Sequence, residues 1–155
     1  MTSILYQEIH QQPEVVRQFL AQQVDKVTQI AGQISERNIT HLIIAARGTS
    51  DNAARYAQYL FGANNHIPVA LATPSLYTLY EKPPVVQNAL VVGISQSGRS
   101  PDIVSVIETS RQQRHPTLAI TNDPGSPLAQ ASEWVIDLQA GEEKAVAATK
   151  TYTTS

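Results

Sequence analysis

Apolar residues recur at Val16, Leu20, Val24, Val27, Ala31 and Ile34, a spacing of four and three that keeps them on one side of a helix. Pro13 and Glu14 read as its first turn, where a missing backbone donor does no harm, so the helix is expected to run roughly six turns from there. A seam at heptad spacing packs either on a partner subunit or on the chain's own sheet. After it the pattern changes to short apolar runs separated by helical stretches. His41–Ala46 reads as a strand, Asp51–Phe61 as a helix and Ile67–Leu71 as a strand. Pro74–Tyr80 reads as a short helix, Asn88–Ile94 as a strand and Pro101–Arg114 as a helix. Thr117–Thr121 and Trp134–Leu138 are further strands, with a turn-rich stretch, Asn122–Pro127, between them.

Strands that are apolar throughout, rather than alternately, are buried on both faces, and strands separated by helices form parallel sheets. The expected fold is therefore α/β: a doubly wound, flavodoxin-like, five-stranded parallel sheet of order 2-1-3-4-5 in three α/β/α layers. Residues 1–40 form an N-terminal segment with the long helix, and residues 41–155 the sheet domain. The terminal ATKTYTTS reads as the start of a helix, so the domain is expected to stop within or before its last helix and to leave part of one sheet face bare.

The chain has 155 residues, a size that suits one ordinary domain. Its charge of −2 offers no general attraction to nucleic acid or to an anionic membrane. Charged residues are only 15% of the total, and 15 glutamines supply much of the remaining polarity. The absence of cysteine excludes disulfides, thiolate metal sites and cysteine catalysis. No apolar run approaches membrane-spanning length and the N-terminus lacks the features of a signal peptide, so a cytoplasmic location is expected.

In a doubly wound sheet, ligands bind beyond the C-terminal strand ends where the strand order reverses, here between the first and third strands. The two loops at that point are Arg47-Gly48-Thr49-Ser50-Asp51-Asn52 and Ser95-Gln96-Ser97-Gly98-Arg99-Ser100. Both are rich in hydroxyls and both enter a helix, whose first N–H groups and positive dipole end suit a phosphate. Ser100-Pro101-Asp102 is an N-cap, a first-turn proline and an acidic first turn. Singly, each loop reads first as a helix cap and turn; together at the switch point they form a candidate phosphate cradle that requires no metal or cofactor. No dinucleotide or P-loop glycine pattern is present. Gly93-Ile94-Ser95-Gln96-Ser97 has serine where a nucleophile elbow needs its second glycine.

The segments ARGTSDNAARYAQYL, VVGISQSGRSPDIV and AGEEKAVAATKTYTTS resemble three successive signatures of the sugar isomerase (SIS) domain family. The form is that of the first SIS domain of the glucosamine-6-phosphate synthase isomerase half and of amino-sugar-phosphate deaminases. YQEIHQQPEVV resembles the segment that precedes this domain. The resemblance implies a phosphate cradle of Ser50, Ser95, Gln96, Ser97 and Ser100, a sugar-contacting Thr49, and a backbone contact at Val146. Glu143 matches a glutamate near the site; a surface ion pair with Lys144 or Lys150 is the other reading of it. Arg47 and Arg99-Ser100-Pro101-Asp102 both depart from the synthase pattern, and the second, as Ser-Gly-Arg-Ser-Pro-Asp, is more similar to stand-alone deaminases and deglycases.

The implied ligand is a hexose 6-phosphate or amino sugar phosphate. The implied chemistry is that of an aldose–ketose isomerase, deaminase or aminotransferase acting on glucosamine 6-phosphate or fructose 6-phosphate. The family's proton-transferring glutamate and its C-terminal lysine lie in a second SIS domain, which is not expected in these residues, so no catalytic residue is assigned. None of His10, His41, His66 and His115 falls in either loop, and none is spaced for a metal. A sugar-phosphate sensor without activity, or a fragment inactive alone, is the alternative; the family habit implies a homodimer or higher oligomer.

Overall fold

Each apolar run becomes a strand because helices cover it above and below. In the computed structural model, which describes residues 3–145 and 147–155, the strands are β1 (His41–Ala46), β2 (Val69–Leu71), β3 (Ala89–Ile94), β4 (Thr117–Thr121) and β5 (Trp134–Asp137). They form one parallel sheet of order β2-β1-β3-β4-β5. The helices are α1 (Ile4–Ser35), α2 (Thr49–Asn65), α3 (Ser75–Thr78), α4 (Pro101–Gln112), α5 (Pro127–Ala131) and α6 (Lys150–Thr154).

Successive side chains of a strand point to opposite faces. Ile43, Ala45, Val91 and Ala119 therefore pack with Ile103, Val106 and Ile107 of α4 and Leu128 of α5. Leu42, Ile44, Leu90, Val92, Ile94 and Leu118 pack on the other face with Ile30 of α1 and Ala54 of α2. The first face is close-packed: a Cβ on Gly93 would lie 2.8 Å from Leu128 Cδ1 and 3.0 Å from Ile107 Cγ1. The second opens into an apolar cleft of about 810 Å³ between α1, α2 and the sheet, to which α6 contributes Tyr152 and Thr153.

The long helix departs most from its expected form. It starts at Ile4, not at Pro13, because Ser3 caps it by accepting the Tyr6 N–H at 3.2 Å. Pro13 sits inside it, at the loss of one bond to the carbonyl four residues back. The heptad seam faces the sheet only toward its end, where Ile34 packs against the core. Leu20 is 54% and Val24 46% exposed, whereas Glu8, Gln23 and Ile30 are buried. Only the C-terminal part of α1 reaches the sheet. There Trp134 Nε1 donates to Gln33 Oε1 at 2.7 Å, and Arg37 stacks over the Trp134 ring, 5.6 Å from its centroid, while pairing with Glu133 at 2.7 Å. The N-terminal part packs on α6 and bonds it and the segment before it through Gln11 and Glu8.

Smaller corrections have equally local causes. The turn-rich 122–127 stretch ends in a helix start: Ser126 Oγ accepts the Ala129 N–H at 3.4 Å and Pro127 opens α5. β2 begins at Val69 because Pro68 has no N–H for the ladder. α4 stops at Gln112, and Arg114, placed in the helix by its sequence, has φ 65°. Asn88 lies outside β3 with φ 56°.

Candidate functional site

β1 and β3 are neighbours in register, Ala46 opposite Ile94, so the loops that follow them leave the sheet side by side. Arg47 Nε bonds the Asp102 carboxylate in the first turn of α4, and so ties the first loop to the second. α2 is entered through Gly48, φ 59°, with no side-chain cap on its first N–H groups. α4 is entered through Ser100, whose hydroxyl also makes no cap bond; it lies 3.3 Å from Ser95 Oγ. The two helices thus begin at the same sheet edge without a cap bond from their N-cap residues, although in α4 the Asp102 carboxylate accepts the Ile103 N–H at 3.1 Å.

The second loop is held from below by backbone bonds. The Gly98 N–H donates to the Ser95 carbonyl at 3.1 Å, closing a tight turn, and the Leu128 N–H donates to the Gly98 carbonyl at 3.0 Å. The Gln96 carbonyl accepts the Asn122 N–H at 3.0 Å and the Thr121 hydroxyl at 3.2 Å. Gly98 has φ 61° and rests directly on the buried Ser126. Ser97 is exposed, with Oγ accepting the Arg99 N–H at 3.3 Å. Arg99 itself is 70% exposed and pairs with Asp123 at 3.2 Å.

Of the expected site residues, Thr49, Ser50, Ser95, Gln96, Ser97 and Ser100 come together at the ends of β1 and β3. Val146 lies outside the described residues. Glu143 forms no ion pair with Lys144 or Lys150, because backbone and hydroxyl donors take up its carboxylate. Oε1 accepts the Thr149 N–H at 2.6 Å, the Thr149 hydroxyl at 3.0 Å and the Lys150 N–H at 2.7 Å; Oε2 accepts the Thr151 hydroxyl at 2.5 Å. Glu143 therefore caps α6, while Lys144 pairs with Glu142 at 3.1 Å.

Burial pushes the Glu143 carboxyl up, but the bonds from Thr151, Thr149 and Lys150 outweigh it and hold it below the usual carboxylate range. A carboxyl lowered in the folded state stabilises the fold above its unfolded value, near pH 4, and loses that contribution as pH falls through its folded value. Glu143→Gln should therefore flatten the pH dependence of the urea midpoint below about pH 4.5. An unchanged slope would show that α6 does not depend on this charge.

Sequence reasoning missed Asn122, which joins the second loop to the end of β5. Its Nδ2 donates to the Gly141 carbonyl at 2.8 Å, and its Oδ1 accepts the Ala140 N–H at 2.7 Å. It also missed Ser126-Pro127, although the signature is that of Ser100-Pro101. No histidine enters the loops: His66 ends α2 with φ 57°, and burial, reinforced by His41, holds His115 below the usual histidine range against a Val86 backbone bond. Among the described residues no group of three acidic, histidine or cysteine side chains is placed to hold a metal ion.

The chain resembles proteins with named activities. The glutamine–fructose-6-phosphate aminotransferase (isomerizing) of Symbiobacterium thermophilum is 34% identical over an alignment of 158 positions, covering 97% of this chain and 26% of that protein. The corresponding protein of Bradyrhizobium diazoefficiens is 34% identical over 151 residues, 94% of this chain and 25% of its own. The chain thus spans about a quarter of the length of these curated relatives. Among solved structures, a candidate phosphosugar isomerase from Silicibacter pomeroyi superposes with a TM-score of 0.93 at 35% identity, over 99% of this chain and 47% of that one. The C-terminal domain of glucosamine-fructose-6-phosphate aminotransferase from Francisella tularensis gives 0.85 at 32% identity, over 99% of this chain and 44% of that one. Residues 34–155 match the model of the SIS domain, and with relatives aligned along nearly its whole length, the chain belongs to the SIS domain family.

Proposed function

We propose that this domain binds a hexose 6-phosphate or amino sugar phosphate and holds it by the phosphate. It does so as part of an aldose–ketose isomerase, deaminase or aminotransferase of the glucosamine 6-phosphate and fructose 6-phosphate class. The observation that carries this reading is the pair of helix N-termini side by side at one sheet edge, neither capped by its N-cap residue, with Ser95 and Ser100 hydroxyls 3.3 Å apart beside them. Ser50, Ser95, Gln96, Ser97 and Ser100 hold the phosphate at the positive N-terminal ends of α2 and α4, and Thr49 faces the sugar. Helix dipoles and neutral hydroxyls match a dianion without a metal. Arg47 and Arg99 already have carboxylate partners, so they shape the mouth rather than supply the main charge.

A phosphate remote from the reacting carbons contributes binding energy that positions C1 and C2 for proton transfer by a carboxylate outside these residues. We also infer self-association: Leu20 and Val24 of α1 and Tyr56, Tyr59 and Leu60 of α2 leave large apolar groups exposed beside the cleft. No described helix is long and apolar enough to cross a membrane; the proposed location is the cytoplasm.

A thermal-shift titration tests the reading with glucosamine 6-phosphate, fructose 6-phosphate, inorganic phosphate and unphosphorylated glucosamine. At a hundred times the dissociation constant, a bound ligand adds about 2.7 kcal/mol. For a domain of this size that raises Tm by about 5–10 °C. The sugar phosphates should stabilise the wild type, glucosamine should not, and Ser97→Ala should need higher concentrations for the same shift. No shift with any phosphate would overturn the proposal.

A further inference from the structure

Two oppositely charged side chains are buried where α1 meets the segment before α6, and neither belongs to the cradle. Glu8 is 4% exposed; its Oε1 accepts the Lys144 N–H at 2.6 Å, and Oε2 lies 3.3 Å from the Ala145 N–H it also accepts. Lys150 is 3% exposed; its Nζ donates to Gln11 Oε1 at 3.0 Å and to the Glu142 carbonyl at 2.7 Å. Glu8 and Gln11 are one turn apart on the same side of α1. That helix therefore grips the segment at both ends, near 144–145 and at 150. Within the grip Glu143 closes the segment on itself through Thr149–Thr151.

Burying an ion is costly unless its hydrogen bonds are satisfied in a fixed geometry. Here the partners are two consecutive backbone N–H groups for the carboxylate, and one carboxamide and one carbonyl oxygen for the ammonium. Such an arrangement holds a backbone in one place. The other end of the same segment is already tied to the cradle: Asn122 bonds Ala140 and Gly141 through its side chain and the Gln96 carbonyl through its N–H. A continuous path thus runs from Glu8 through the 140–145 backbone to the phosphate loop.

We propose that Glu8 is a positioning residue for the ligand. With Gln11 and Lys150 it fixes the 140–145 wall beside Gln96, against which the polyhydroxy part of a sugar phosphate lies. This rests on the phosphate reading of the 95–100 loop. The loop's own backbone bonds do not involve Glu8, so the phosphate grip stands without it, and the sugar contact does not.

The test is isothermal titration of the full chain, wild type and Glu8→Gln, with inorganic phosphate and with glucosamine 6-phosphate. Gln11→Ala is a second variant in case the first does not fold, and Glu14→Gln, exposed on the same helix, is the control. Loss of one charged hydrogen bond corresponds to about a tenfold or larger change. Glu8→Gln should weaken glucosamine 6-phosphate by about that factor while inorganic phosphate stays within about twofold, and Gln11→Ala should show the same selectivity. Equal weakening of both ligands would make Glu8 a support of the fold only and overturn the proposal, as would no change in either. Failure of the wild type to bind phosphate at all would instead remove the reading on which it rests.

Discussion

Gly98→Ala is expected to lower stability by about 2–5 kcal/mol and to abolish binding of sugar phosphates. The left-handed backbone at Gly98, φ 61°, costs an L-residue about 1–2 kcal/mol. The new Cβ would then lie 2.0 Å from Ser126 Oγ, 2.5 Å from Ser126 Cβ and 2.9 Å from Thr121 Oγ1. Ser126 and Thr121 are 0% exposed, so neither side chain can swing aside, and overpacking of this kind costs about 1–3 kcal/mol. The chain must relieve the clash by lifting the 95–100 loop. That breaks the Leu128-to-Gly98 bond and moves Ser95, Gln96 and Ser97 out of place beside the N-terminus of α4. Thermal unfolding should show Tm lower by about 5–15 °C, and glucosamine 6-phosphate should then give no shift. Adding Ser126→Gly should restore the part of the stability lost to the Ser126 clash and leave the backbone part and the Thr121 contact. A wild-type Tm in Gly98→Ala would mean that the loop does not rest on α5.

The sheet was legible because a strand covered on both faces needs apolar residues at every position, and β1 and β3 are written that way. The start of α4 beside the end of β1 was legible for a related reason: caps are made by a few residue types at fixed offsets, so Ser100-Pro101-Asp102 announces a helix start, and the strand order tells where it lies. Glu8 was not legible. Its partners are backbone N–H groups 136 and 137 residues away, and a backbone donor leaves no trace in the choice of side chain. For the same reason Glu143 invited an ion-pair reading from its lysine neighbours, although its actual partners are mostly the N–H and hydroxyl groups of a helix start. The seam on α1 misled because periodicity marks a face without saying how far along the helix the sheet extends. Ile30 meets the sheet, and Leu20, on the expected seam, does not.

Leu128→Ala should cost as much stability as Gly98→Ala and yet spare the ligand. Leu128 is 0% exposed and fills the space over Gly93, with Cδ1 where a Cβ on that glycine would come within 2.8 Å. Truncating a buried leucine costs about 2–5 kcal/mol, the larger figure where the surroundings cannot close on the cavity. Strand β3 and helix α4 are both fixed by the sheet here, so collapse is limited and the upper half of that range is expected. What connects Leu128 to the site is not its side chain. As the second residue of α5, its N–H has no acceptor within the helix and bonds the Gly98 carbonyl at 3.0 Å, and alanine keeps that donor. Urea unfolding should therefore show a large loss, while titration well below the lowered midpoint should give an affinity for glucosamine 6-phosphate within about twofold of wild type, since no hydrogen bond is removed. If affinity falls together with stability, the loop is held by the packing of α5 on the sheet rather than by that bond, and the cradle and the core form one unit.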